Sequence, residues 1–364
     1  MDRKKVYDYI RVLACFCIIG IHSTGGISYE FKEAWEFMEY TLHAFFMVGL
    51  PVFFLLSGAL LLSGKRQESV GGFYKKRFVK IVVPFFIYSM FYVVWVNPGY
   101  GISDCFQLET WKAMVKNIIP GIKGTLETYQ VVPLWFVYTI IGIYLVAPFL
   151  KIMMQNMNEN MLKSLAVFLF VMRCIKNYFP VLFGFKIGID YIFSNWVMYF
   201  LLGYIIIQPM MEKYYKWIEI GGALSFVISI IVSIGFPQYA SDNYYDLAPH
   251  MILQACGLFI FMYRRESVIC KNDKVTKVIT GLSKYTFSIY LLHSFAMREV
   301  IKTGILDRLT GNVIIKELLQ VLFTFIVSFV MAVIVDNSIV KFFQKICGKL
   351  LGRNESKIYA EKKQ

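Results

Sequence analysis

Charge is what this chain has least of. Only 17% of its 364 residues are Asp, Glu, Lys or Arg, while 57% are hydrophobic and the mean hydropathy is +0.56. A soluble domain carries about a quarter charged residues. A water-soluble globule is therefore excluded, and a polytopic membrane protein fits. The seven cysteines form no C-x-x-C pair and no metal-ligand spacing, so neither a redox motif nor a metal site is expected. Most lie in apolar runs, where a thiol packs as a small hydrophobe. No G-x-S-x-G, P-loop, dinucleotide glycine pattern or H-E-x-x-H occurs, which argues against a hydrolase elbow, ATP-driven transport and a zinc protease. No small-x-small cleavage site follows the first apolar run, so that run is expected to stay as a span. No internal repeat and no second soluble domain are visible.

What is there in quantity is apolar sequence in blocks. Spans are expected at 7–27, 41–63, 79–97, 131–150, 161–180, 191–209, 217–236, 247–263, 280–299 and 314–340, enough for about ten transmembrane helices of roughly 20 residues each. The fold class expected is thus an all-α polytopic membrane protein. Acids are the scarcer sign, 24 against 38 Lys and Arg, for a net charge of +14. In a soluble chain that excess would suggest nucleic acid; here it reads as cytoplasmic topology signals, and no nucleic-acid partner is expected. The Lys and Arg collect near the N-terminus, at 64–80, 151–163, 210–216 and 264–284, and in the C-terminal tail, whereas 237–246 has none and carries Asp242 and Asp246. Glu30, Glu33, Glu36 and Glu39 follow the first span, with Lys32 alone opposing them. Both termini are therefore cytoplasmic, which needs an even number of spans. The longest outer segment, about 98–130, is expected to hold an interfacial amphipathic piece and to act as a lid. Residues 1–346 form the membrane domain, and 347–364 a polar, basic, loosely ordered cytoplasmic tail.

The first apolar run carries three ionisable residues, Asp8, Arg11 and His22. Eleven helical residues make three turns plus about 20°, so Arg11 and His22 share one face ~16 Å apart along the axis. Asp8, three residues before Arg11, shares that face. Such groups inside a span face a protein interior or a water-filled cavity. With the N-terminus inside, Arg11 lies toward the cytoplasm and His22 toward the outer half.

The stretch DYIRVLACFCIIGIH resembles the first-helix signature of the integral-membrane acyltransferase type 3 family: an Arg or Lys, ten residues, then His. GLPVFFLLSGALLL, FYKKRFVKIVVPF, VPLWFVYTIIGIYLVAPFL and SKYTFSIYLLHSF resemble further blocks of that family, in the family's order, over roughly residues 1–300. The absence of an appended soluble domain resembles its stand-alone, surface-polysaccharide branch. The resemblance implies an enzyme of the bacterial cytoplasmic membrane that moves an acyl group, commonly acetyl from cytosolic acetyl-CoA, to a hydroxyl of an envelope glycan or its lipid-linked precursor. Expected partners are thus membrane lipids, acyl-CoA and the glycan acceptor.

Under this reading His22 is the general base, since a neutral imidazole takes a proton from a sugar hydroxyl as it attacks a thioester. Arg11 is a permanent cation for a phosphate or for Asp8, and ~16 Å is of the order of a pantetheine arm. Lys75, Lys76, Arg77 and Lys80 form a dense cationic cluster suited to CoA phosphates; of these Lys76, Arg77 and Lys80 are taken as donor-binding. The family shows Arg-x-x-Arg here; this chain keeps the charge of the second Arg but, with Lys80, loses its fork. Asp8, His43, Ser57, Trp135, Tyr138, Tyr290 and His293 are the remaining substrate-binding or cavity-lining candidates. Each also has a plainer reading. Asp8 and Arg11 make a structural pair; Lys75 and Lys76 mark topology or touch anionic lipid; Ser57-Gly58 is a packing site; His43 is an interfacial histidine; Trp135 and Tyr138 are belt aromatics; Tyr290 and His293 make structural hydrogen bonds. Arg173 and Lys176 bind an anionic acceptor or snorkel. The rival reading is a secondary transporter or exporter of envelope lipid or sugar, which requires matching Gly/Pro-interrupted spans; no such pair is found. A membrane sensor or scaffold is a third.

Overall fold

The structure, a computed structural model, describes residues 4–24, 36–64, 69–96, 107–122, 134–184, 195–235 and 247–361. Among these every regular element is helical. In chain order they are α1 (Val6–Ser23), α2 (Glu36–Phe46), α3 (Gly49–Leu62), α4 (Val70–Arg77), α5 (Val83–Val96), α6 (Leu108–Ile122), α7 (Trp135–Asn156), α8 (Glu159–Phe183) and α9 (Val197–Ile206). Then come α10 (Tyr215–Gly235), α11 (Pro249–Arg264), α12 (Glu266–Ile269), α13 (Asp273–Ser283), α14 (Thr286–Lys302), α15 (Ile305–Leu309), α16 (Val313–Val335) and α17 (Lys341–Glu361). Wider π turns cover Phe78–Val82 and Asp336–Val340.

Among the described residues, five helical segments are long and apolar enough to cross a membrane: Val6–Ser23, Glu36–Leu62, Trp135–Asn156, Pro209–Gly235 and Val313–Leu351. They coincide with five of the expected spans. The other five expected spans are also largely helical, but four of their helices (α5, α9, α11 and α14) have 10 to 17 residues, shorter than about 20. The fifth, α8, carries Lys163, Arg173 and Lys176. On α10, Leu224, Val227, Ile228 and Ile231 turn one apolar stripe outward, more than half of each of Leu224, Ile228 and Ile231 being exposed. A stripe of that kind suits hydrocarbon rather than water.

The basic segment 264–284 and the tail expected to be loosely ordered are both helical. Within 264–284, Asn272 caps α13 by accepting from the Lys274 and Val275 backbone N–H groups, and Val275, Val278, Ile279 and Leu282 recur at helical spacing. The tail is helical through Glu361, because Phe342, Ile346 and Leu350 repeat every fourth residue beside Lys341, Lys345 and Lys349. The amphipathic piece expected within 98–130 corresponds to α6. Glu30, Lys32, Glu33, Lys65, Arg66, Lys123 and the 237–246 loop lie outside the described residues.

The helices form two compact units. The first comprises Met1–Lys65, Phe149–Phe287 and Phe295–Val327. At its core α1, α3 and α9 are packed on glycine. A Cβ on Gly58 would stand 1.7 Å from the Phe200 carbonyl oxygen, and one on Gly203 would stand 1.9 Å from the Leu55 oxygen. Here α3 and α9 touch backbone to backbone, a contact that only small residues permit. Polar pins tie the neighbouring helices: Gln254 Nε2 donates to Ser229 Oγ at 2.7 Å, and Glu219 accepts from Arg264 and Arg265 at 3.1 and 3.0 Å.

The second unit comprises Arg66–Pro148, Ser288–Ser294 and Ser328–Gln364. Its centre is a carboxylate that composition does not announce. Asp336, at the end of the apolar run of α16, accepts from Tyr88 OH at 2.8 Å and from Ser288 Oγ at 2.7 and 2.9 Å. Gln344 Nε2 donates to the Val79 carbonyl at 3.1 Å, joining α17 to the other π turn. Replacing Asp336 by alanine strands two buried hydroxyls. It is expected to cost about 1–3 kcal/mol, read as a lower melting temperature in detergent, with Asp336→Asn losing less.

Candidate active site

The site begins with α1. The Val6 backbone N–H donates to Glu266 Oε1 at 3.3 Å, so a carboxylate meets the positive end of the helix. Two residues on, Asp8 is 4% exposed. Its Oδ1 accepts from Arg11 Nη1 at 3.1 Å and from Ser283 Oγ at 2.9 Å, tying α1 to the last turn of α13. Arg11 is thus a paired cation whose side chain keeps 21% exposure. Ala14, Cys15, Cys17 and Ile18 bury the middle of the helix, and Cys15 Sγ donates to the Thr286 carbonyl. The thiols are packing groups.

At the far end His22 is exposed in the last turn. Thr24, the next residue but one, closes the helix by donating its backbone N–H to the Gly20 carbonyl at 3.0 Å. Its Oγ1 lies 3.2 Å from that same carbonyl and 3.0 Å from His43 Nδ1. A hydroxyl has one proton and a carbonyl can only accept. With both bonds made, Thr24 donates to Gly20 and His43 donates from Nδ1. The sequence offered His43 as a substrate-binding or cavity-lining candidate, with an interfacial histidine as the plainer reading; the structure places it against the C-cap of the helix that carries His22. Thr24 was not anticipated. Its signal was a hydroxyl just past the last helical turn.

Ser57 does not join this group. Its Oγ donates to the Phe53 carbonyl at 2.9 Å within α3, and Gly58 makes the helix crossing described above. Both residues make packing contacts within the first unit. Arg173 is buried and donates to the Leu247 carbonyl and to Asn177, so it braces the start of α11.

The family profile described as an acyltransferase domain, that of the acyltransferase type 3 family, matches residues 5–336. The chain belongs to this family. It is also similar to YfiQ of Bacillus subtilis (strain 168), whose name assigns it by inference to the membrane-bound acyltransferases; the two are 22% identical over 324 residues, covering 82% of each chain. No solved structure matches the chain. The protein is therefore a membrane acyltransferase.

The other anticipated residues of this acyltransferase belong to the second unit. Arg77 ends α4 with its guanidinium over the rings of Phe73 and Tyr144, at 5.1 and 5.3 Å. Its Nε is buried and, among the described residues, has no hydrogen-bond partner. An arginine stacked on aromatics with a donor unspent is suited to an anion. Lys76 and Lys80 are exposed beside it. Trp135 opens α7 and is half-buried, as is Tyr138, which stands edge-on to Phe85 at 5.5 Å. Tyr290 packs edge-on to Phe136 at 5.0 Å. His293 is fully buried, and its Nδ1 donates to the Tyr290 carbonyl at 2.5 Å. Tyr290 and His293 are thus core residues held by local bonds. Among the described residues, no group of three His, Cys, Asp or Glu is placed to hold a metal.

Proposed function

We propose that this chain is a multi-pass acyltransferase of the bacterial cytoplasmic membrane, with about ten spans and both termini inside. It moves an acyl group, acetyl in the simplest case, from cytosolic acyl-CoA to a hydroxyl of an envelope glycan or its lipid-linked precursor. The observation that carries the reading is α1 itself: an exposed His22 and a cation, Arg11, eleven residues apart on one face of a helix inside the family's matched region.

The chemistry is direct. His22 takes the proton of the acceptor hydroxyl as its oxygen attacks the thioester carbonyl. The carbon–sulfur bond breaks, and the CoA thiolate leaves and takes the proton back from the imidazolium. Arg11 is the cation of the first unit that suits the anionic end of the donor; Arg77, with Lys76 and Lys80, is an anion-binding candidate of the second unit by itself. Asp8 orients Arg11 rather than touching substrate. The hydroxyl of Thr24 and the ring of His43 keep the end of α1 in place beside the reacting groups.

The test uses the full chain in proteoliposomes with acyl-CoA labelled separately in the acyl group and in the nucleotide. Acyl label is expected on the glycan acceptor while nucleotide label stays with free CoA. Movement of unmodified acceptor across the bilayer, with no acyl label on it, would establish the transporter instead.

A further inference from the structure

A cavity of about 410 Å³ opens where the first turn of α1 faces α13. Its lining sets Lys4, Lys5, Lys277 and Lys284 against Asp8 and Asp273. Most of that charge is already matched. Asp8 accepts from Arg11 and Ser283. Lys5 faces Asp273 at 3.7 Å. Lys4 faces Glu266 at 3.9 Å and lies over the Tyr263 ring at 3.7 Å.

Lys277 and Lys284 are the exceptions. Both are exposed, and among the described residues neither has a carboxylate partner. They stand seven residues apart with Thr280 and Gly281 between them, the i, i+3/i+4, i+7 pattern of a single helix stripe. The small residues make the floor: a Cβ on Gly281 would meet nothing within 4 Å. Two unmatched ammonium groups, their backbones ~10 Å apart along the helix, thus border one concavity. A lysine that only marks topology needs no such placement, since it works anywhere along an inner loop. The Asp8–Ser283 bond fixes the residue next to Lys284 against α1, so the second ammonium is held on a braced element.

We propose that this cavity is a phosphate-binding site and that Lys277 and Lys284 are its ligand-facing cations. The inference rests on the functional reading above, in which the donor carries several phosphates. From Asp8 to His22 is fourteen residues, ~21 Å along the helix, the order of the reach of extended CoA from its phosphates to its sulfur. The same chemistry would also take the phosphate of an anionic lipid headgroup, and the experiment separates the two sources.

Full-length protein in nanodiscs of zwitterionic lipid is titrated with CoA, comparing wild type with Lys277→Gln/Lys284→Gln. Lys271→Gln/Lys274→Gln, which removes the same charge outside the cavity, is the control. The double variant at the cavity is expected to weaken CoA binding at least tenfold at physiological salt; the control changes it less than threefold. Higher salt is expected to narrow the gap. In a second arm, the melting temperature is compared in nanodiscs with and without phosphatidylglycerol. Unchanged CoA affinity together with loss of a lipid-induced stabilisation assigns the site to a lipid phosphate. Neither effect, in variants that melt as wild type does, overturns the site. His22→Ala separates the two proposals, because it leaves CoA affinity intact. Lysine-dependent CoA binding without transfer activity in the wild type sinks the functional reading and leaves the cavity standing.

Discussion

Replacing Gly58 with leucine is expected to leave no stably folded first unit. Even alanine places a Cβ 1.7 Å from the Phe200 carbonyl oxygen, and the reciprocal contact from Gly203 to Leu55 is equally close. Backbone cannot step aside as a flexible side chain does, so α3 and α9 have to separate. That opens the packing of α9, whose residues from Met198 to Ile206 are all buried. The cost for Gly58→Ala is at least about 3 kcal/mol, which corresponds to a fall in melting temperature of roughly 10 °C; leucine should prevent recovery of monodisperse protein. Gly142→Ala is the control, because nothing lies within 4 Å of its Cβ and alanine favours the helix by about 1 kcal/mol. If Gly58→Ala melts with the wild type, the crossing is not built as described.

That crossing shows what the sequence can and cannot reveal. Ser57-Gly58 stands out in a run of Leu and Phe, and a packing role follows from residue size alone. The partner, Gly203, is a tertiary fact, since nothing local says that α3 meets α9. The same division holds along α1. The Asp8–Arg11 pair and the common face of Arg11 and His22 follow from helical spacing, whereas the Ser283 bond to Asp8 joins residues 275 apart. Charge counting read 264–284 as a topology signal and passed over α13, because a basic amphipathic helix and a basic loop have the same composition. Its cap, Asn272, was the legible clue. Asp336 closes an apolar run without being announced by composition, and its hydroxyl partners Tyr88 and Ser288 lie far off in sequence. Tyr290 and His293 have two readings in the sequence, cavity lining and structural hydrogen bonding. A histidine in a span invites a cavity, yet a carbonyl three residues earlier already takes its Nδ1 proton.

The second large effect concerns His22. Its side chain is exposed at the end of α1, so alanine there removes an imidazole without emptying a packed core, and melting should change little. Losing a general base lowers the chemical step by about 10²–10⁴-fold, and the loss belongs in turnover rather than in donor affinity. His22→Gln should be as inactive as alanine, because an amide fills the space and bonds but does not take a proton at neutral pH.

The most direct measurement is the rate of acyl transfer from labelled acyl-CoA to envelope glycan, in membranes holding matched amounts of folded wild type and His22→Ala. The account predicts that the variant binds CoA as the wild type does and transfers label at least a hundredfold more slowly. Transfer at the wild-type rate in the variant would contradict it.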